Sequence, residues 1–448
     1  MPVKPRLSTM MFLQYFVWGA WFVTLSTYMA SAVNSTGERI FSDELIGQAY
    51  GTSAIAAMIA PFLVGLVADR FFSTERILGV LHLTGGVLLY VASQAQTSLN
   101  LYVALLAYFL VYMPTLSLTN SLSFHHLAEP CREFPAVRVW GTIGWIVAGI
   151  LVGSLRLAGG EWGFRFDRPF GLAVDLSFGS PLASTASIQS TAVPMLLAAA
   201  AQLALGIYCY FLPHTPPTKK GQDVSARDIL GLDALALFRQ RSFLVLMVCS
   251  FLVCIPLQFY YTFTNQFLNE LGVEGAAAKQ AYGQMSEILF MMLMPYFFVR
   301  LGVKWMLLIG MMAWATRYLL FAIGDADDAM WMLIVGILLH GICYDFFFVT
   351  GQIYVDGKSP ADLRASAQGL YAFTTLGLGL FVGSMISGRI VARFATPRQA
   401  IPHDWYAIWL VPAGMAAVVL LVFAMLFRED SNSLTAANSH SQQKESTS

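Results

Sequence analysis

The chain is poor in charge. Of 448 residues, 26 are Lys or Arg and 26 are Asp or Glu, so charged side chains make up 12%, against about 25% in a soluble globular domain. A soluble enzyme of this length has far more surface than so few charges can wet, which excludes a soluble multidomain protein. The two signs cancel to a net charge of 0 and form no basic tract, so nothing invites nucleic acid. Cysteine is scarce as well. Cys131, Cys209, Cys249, Cys254 and Cys343 are odd in number and show neither disulfide-framework nor zinc-site spacing. Of the seven histidines only His125 and His126 are adjacent, with no H-x-x-x-H pattern, which argues against a metalloenzyme. The strictly alternating ten-residue segments of a transmembrane barrel are also missing.

What the chain has is apolar length: 57% of residues are hydrophobic and 14% aromatic. The apolar runs are about 20 residues long, the length a helix needs to cross a bilayer. Twelve spans are expected, at 8–32, 46–68, 75–95, 99–124, 136–156, 190–212, 241–267, 281–299, 303–323, 329–350, 366–390 and 403–427. Lys4 and Arg6 precede the first, no small-residue cleavage site follows, and we read it as a helix rather than a removed signal. The polar stretch 213–240 divides the spans six and six. Expected domains are therefore a first half at 1–212, a linker at 213–240, a second half at 241–431 and a polar, Ser-rich tail at 432–448. Loops on the side of the termini hold 16 basic residues against 8 on the other, setting Arg138 and Arg317 aside. That bias predicts cytoplasmic termini. Six spans, a linker and six spans is a two-half transporter layout.

Residues 65–76, GLVADRFFSTER, join spans two and three. Gly65 permits close helix approach, while Asp69, Arg70 and Arg76 supply a charge arrangement that can break when two halves rock. The alternative is an ordinary turn. Ionisable and amide groups inside spans are expensive and point to function. Gln284 and Glu287 are three apart and share one face of span eight; the alternative is a loop-end glutamate near the outer surface. Asp345 stands deep in span ten with His340 and Tyr344 beside it, as a solute contact, a proton carrier or a structural carboxylate satisfied by neighbours. Arg138, Thr142 and Trp145 share a face of span five, where Arg138 has Glu287 as a candidate partner. In span seven, Gln258 and Tyr261 share a face, and Pro256 predicts a kink and a freed carbonyl. Arg317 is expected to snorkel or to be locked in a helix pair. Gln14, Trp18 and Trp21 in FLQYFVWGAW are expected to face inward.

FLQYFVWGAW, PFLVGLVADR, RVWGTIG, GQMSEILF, YDFFFVTG and SPADLRASAQG together resemble the bacterial nucleoside:proton symporters of the major facilitator superfamily. The resemblance runs from Leu13 to about Phe427. It implies an all-α polytopic membrane protein with the facilitator fold, a transporter and not an enzyme, without cofactor or metal, working as a monomer in the inner membrane. Its partners would be a nucleoside, protons and membrane lipid. It also implies solute contacts from Arg138, Thr142, Trp145, Gln258, Gln284, Glu287, Tyr344 and Asp345, with Asp345 first and Glu287 second as proton carriers. Tyr261, His340 and Trp145 depart from the family's usual residues, so the solute site differs in size and donor pattern. Another small polar solute, such as a sugar or nucleobase, or passive uniport, stays open as the alternative.

Overall fold

The structure is a computed structural model that describes residues 2–63, 73–158, 161–164, 166–167, 173–174, 186–216, 232–360, 363–396 and 399–428. Helices dominate, because lipid offers backbone groups no partner and each span must satisfy its own. Eight of the described helices are long and apolar enough to cross a bilayer. One of them, Ala276–Ile323, is two spans joined at Gly302, whose φ of +68° breaks the helix where the sequence places the junction of spans eight and nine. Three further helical segments complete twelve: Val3–Trp21 continued by Leu25–Ser31, Asp43–Leu63, and Val193–Cys209. The chain thus has the facilitator-type helical transporter fold.

Several ends differ from expectation, and the differences matter. Span five begins at Pro130, a residue suited to a first helical turn, so Arg138 lies two turns inside it. Span eight begins at Ala276 and not near 281. Glu287 is therefore eleven residues into its helix, about 16 Å along the axis, which sets aside the loop-end reading. Span ten runs from Met330 to Lys358 and contains a π-helical turn, Tyr344–Val349, around Asp345. Span twelve begins at Trp405, capped by the Asp404 carboxylate accepting from the Ala407 N–H at 3.1 Å, and this leaves His403 in the connection before it.

Within the first half, span one packs on five, two on four and three on six. Six spans later the same pairing recurs, seven on eleven, eight on ten and nine on twelve. The halves meet where span two (Asp43–Leu63) crosses span eleven (Ser366–Arg393), and where span five (Pro130–Ser154) crosses span eight. Both crossings use small residues. A Cβ on Gly47 would strike the Ser384 carbonyl, and one on Gly153 would come within 2.7 Å of the Ala278 methyl. These contacts lie toward the ends of the spans away from the termini, so the halves are drawn together on that face.

Part of the 157–189 loop forms a small sheet, Leu155–Ala158 antiparallel to Glu161–Phe164 and to Ala186–Ser187. Its far end delivers a buried Gln189, whose Oε1 accepts from the Ala277 N–H at 3.1 Å and from Asn265 Nδ2 at 3.1 Å. The base of the loop is thereby pinned to the second half. Inside the 213–240 stretch, Leu232–Arg239 forms a 3-10 helix leading into span seven (Arg241–Glu270).

Candidate functional site

A cavity of about 500 Å³ lies between the halves. Spans one, two, four and five supply one wall, and spans seven, eight, ten and eleven supply the other. Nine of the ten residues singled out as solute contacts line it: Arg138, Thr142, Trp145, Gln258, Tyr261, Gln284, Glu287, His340 and Tyr344. Four helices from both halves converge on one space because each places its misplaced polar groups on a single face.

The first-half wall is aromatic around one cation. The Arg138 guanidinium lies 4.1 Å over the Tyr15 ring, a cation–π contact that holds the charge at the cavity edge without neutralising it. Trp18 meets Trp145 edge to face at 5.4 Å. The second-half wall carries the carboxylate. Glu287 Oε2 is 3.6 Å from His340 Nε2, and the His340 ring stacks on Tyr260 at 5.4 Å and 20°. Tyr260 in turn carries the Arg317 guanidinium 4.2 Å over its ring. Arg317 is fully buried and donates from Nε to the Gly336 carbonyl at 2.9 Å, so it is locked within the second half and does not snorkel. Of the readings open for Arg138, the pairing with Glu287 is not made. The two face one cavity from opposite halves, and the gap between them is where a solute would join the walls.

Asp345 is the exception among the ten. It is fully buried, it does not line the cavity, and neither carboxylate oxygen has a hydrogen-bond partner among the described residues. Expected as a direct solute contact, it stands instead behind the wall, because the π-helical turn sends Tyr344 to the cavity and Asp345 into the packing beside it. The carbonyl a proline frees is the one four residues back, that of Leu252; the bond made here is to the Pro256 carbonyl itself, which accepts from the Tyr318 hydroxyl at 2.8 Å. The helix runs through the proline without interruption. Of Gln14, Trp18 and Trp21, only Trp18 reaches the cavity. Gln14 donates to Thr115 Oγ1 at 2.7 Å, and Trp21 packs on Tyr108.

Sequence reasoning missed Tyr15, Tyr260 and Gln280, all of which line the cavity. Gln280 fell outside the expected span eight, and its Oε1 accepts from Asn265 Nδ2 at 2.8 Å. The tyrosines are neighbours of groups already singled out, one turn or less away. Gly65, Asp69 and Arg70 lie outside the described residues; Arg76 is exposed in the first turn of span three (Thr74–Ser93).

The family model described as Nucleoside H+ symporter matches residues 1–164 and 169–432. The chain is 39% identical over 441 residues to "Putative nucleoside transporter YegT" of Escherichia coli (strain K12), covering 97% of this chain and 96% of that one. It is 32% identical to the xanthosine permease of the same organism, over 96% of each. A crystal structure of the nucleoside transporter NupG superposes with a TM-score of 0.81 at 29% identity, covering 96% of this chain and 100% of that one.

Proposed function

The chain belongs to the nucleoside H+ symporter family, and we propose that it imports nucleosides across a bacterial inner membrane by proton symport with alternating access. The carrying observation is the cavity between the halves, where Arg138 and Glu287 stand unpaired with each other on opposite walls among Trp18, Trp145, Tyr261 and Tyr344. A nucleoside is a flat base joined to a hydroxyl-rich ring. It loses many water hydrogen bonds on entry, and each needs a replacement. Gln258, Gln284 and Glu287 offer donors and acceptors for ribose hydroxyls and base edges, and the rings offer faces for the base. Thr142 and His340 complete the polar lining.

Protons are carried by Asp345 first and Glu287 second. An ionised carboxylate buried without a partner is very costly, so Asp345 is suited to hold a proton in this conformation and to release it when the halves move. The 16-to-8 bias of basic residues supports cytoplasmic termini. Gly65, Asp69, Arg70 and Arg76 then form the cytoplasmic motif that makes and breaks contacts as the halves rock, and the chain works as a monomer.

The test is uptake in proteoliposomes. With an inward proton gradient, labelled uridine, adenosine or xanthosine accumulates above its outside concentration, and a protonophore abolishes the accumulation. Equilibration without accumulation would make the protein a uniporter. No movement of any nucleoside by folded protein would turn the search to other polar solutes.

A further inference from the structure

On the face away from the termini, His403 is clamped between carboxylates of the two halves. Its Nε2 is 3.2 Å from Asp43 Oδ2, on the first residue of span two, and its Nδ1 is 2.9 Å from Glu270 Oε2, at the last residue of span seven. The His403 side chain is 1% exposed. Both carboxylates are tied down further: Asp43 Oδ1 accepts from Arg39 at 2.7 Å, and Glu270 Oε2 accepts from Trp405 Nε1 at 2.8 Å. Each ring nitrogen of His403 thus faces a carboxylate, and only the protonated imidazole can donate to both.

We propose that Asp43, His403 and Glu270 form a proton-binding latch that holds the halves closed on this face. Glu270 lies twelve residues beyond Gln258 of the cavity along one continuous helix, about 18 Å, so the latch sits well outside the solute. Between them, Thr27 donates to Asn265 at 2.6 Å across the halves. These bonds and the Gly47–Ser384 crossing all must part for the cavity to open on this side. The latch rests on the alternating-access reading but not on the identity of the solute.

The charge balance gives the latch a sign. Burial alone would lower the affinity of His403 for its proton, but the hydrogen bonds and charges of Asp43 and Glu270 outweigh it and raise its pKa to about 9. Other charged groups on the surrounding elements do not touch the imidazole. Arg39 acts through Asp43, the Asp404 carboxylate caps span twelve, and Glu44, Arg389 and Arg393 are exposed and form no ion pair among the described residues. An exposed His403 in the opened state would titrate near 6.5. Closing therefore takes up a proton between those values, and the contribution of His403 is full below about pH 6.5 and lost as pH rises through about 9. Across the His403 window, about 6.5 to about 9, the ratio of closed to open shifts roughly three-hundredfold.

The experiment is a distance measurement that needs no transport. Spin labels at Leu99→Cys and Tyr406→Cys, exposed positions at the start of spans four and twelve on this face, report the separation of the halves in nanodiscs between pH 6 and pH 10. The expected result is one short distance at neutral pH and a longer population that grows through about pH 9. His403→Gln should show the longer population at pH 7 with little further pH response. A distance distribution unchanged by pH in the labelled parent, or a His403→Gln protein as closed as the parent, overturns the latch. The parent titration stands even where the variant misfolds. An intact titration in a protein that moves no nucleoside overturns only the assigned solute.

Discussion

Glu287 and His340 meet in the cavity wall, Oε2 to Nε2 at 3.6 Å, from neighbouring spans of the same half. The approach is possible because span ten is glycine-lined beside span eight: a Cβ on Gly341 would come within 2.6 Å of the Ser286 backbone, and the Ser286 hydroxyl accepts from the Gly341 N–H at 3.0 Å. The carboxylate is thus aimed by a rigid neighbour before any solute arrives. Glu287→Gln keeps the shape and removes the charge. Since a hydrogen bond to a charged group is worth roughly 1.5–3 kcal/mol, nucleoside binding should weaken by roughly 10- to 150-fold. His340→Phe keeps the stack on Tyr260 but leaves Glu287 without its ring partner, and a smaller loss is expected. Equilibrium binding by calorimetry in detergent reads both; full affinity in Glu287→Gln would remove this carboxylate from solute recognition.

Asp345 invites a different measurement, because it stands behind the wall and not on it. Asp345→Asn leaves the cavity surface as it is and takes away the group that can change its protonation. Counterflow of nucleoside, which needs only binding and rocking, should continue within a few-fold of the parent. Accumulation against a gradient should be lost. If Asp345→Asn still concentrates nucleoside and a protonophore still collapses the gradient, the proton travels elsewhere, with Glu287 next to examine.

The fold was legible because the bilayer demands about 20 apolar residues per crossing, and the junction at Gly302 fell where the sequence put it. The start of span eight was not, since Ala276 to Gln280 is too polar for a hydropathy reading yet helical in context, and Gln280 was lost with it. Tyr15 and Tyr260 were passed over because most aromatic residues in such a chain are scaffold, and nothing in their immediate sequence separates the two. Asp345 was singled out correctly as a buried carboxylate, but a π-helical turn shifts the faces of span ten and no residue pattern announces it. His403 carried no signal at all: its partners are 133 and 360 residues away in the chain, a distance only the fold can close.

Tyr318 offers a stability test away from the solute. Its hydroxyl donates to the Pro256 carbonyl at 2.8 Å, and its ring stacks on Trp409 at 5.8 Å. Tyr318→Phe keeps the stack and deletes the bond, leaving a buried carbonyl with one fewer partner. Bonds between helices in membrane proteins average about 0.6 kcal/mol, and a cost of about 1 kcal/mol is expected. Thermal unfolding in detergent should show a small drop in midpoint with transport otherwise intact. A drop as large as that of a buried large-to-small change would mean that the bond also holds the course of span seven at its proline.

The last prediction turns on how closely the halves approach. Span two touches span eleven through Gly47 and Gly51, and a Cβ on Gly51 would stand 2.5 Å from the Ser384 hydroxyl oxygen. At Gly47 the obstacle is the Ser384 carbonyl, which is backbone and cannot rotate aside. Gly47→Val therefore wedges the halves apart only in the state where this face is closed, and the opposite state loses nothing. The protein should remain folded, with its equilibrium displaced toward opening on the face away from the termini. Solute binding from that side should persist, whereas release on the other should slow by about fivefold or more, since overpacking costs roughly 1–3 kcal/mol. Single cysteines placed near the cavity on the open side would then label faster in Gly47→Val than in the parent. Equal labelling rates would mean that spans two and eleven slide past each other without separating, and that the parting of the halves occurs at the crossing of spans five and eight alone.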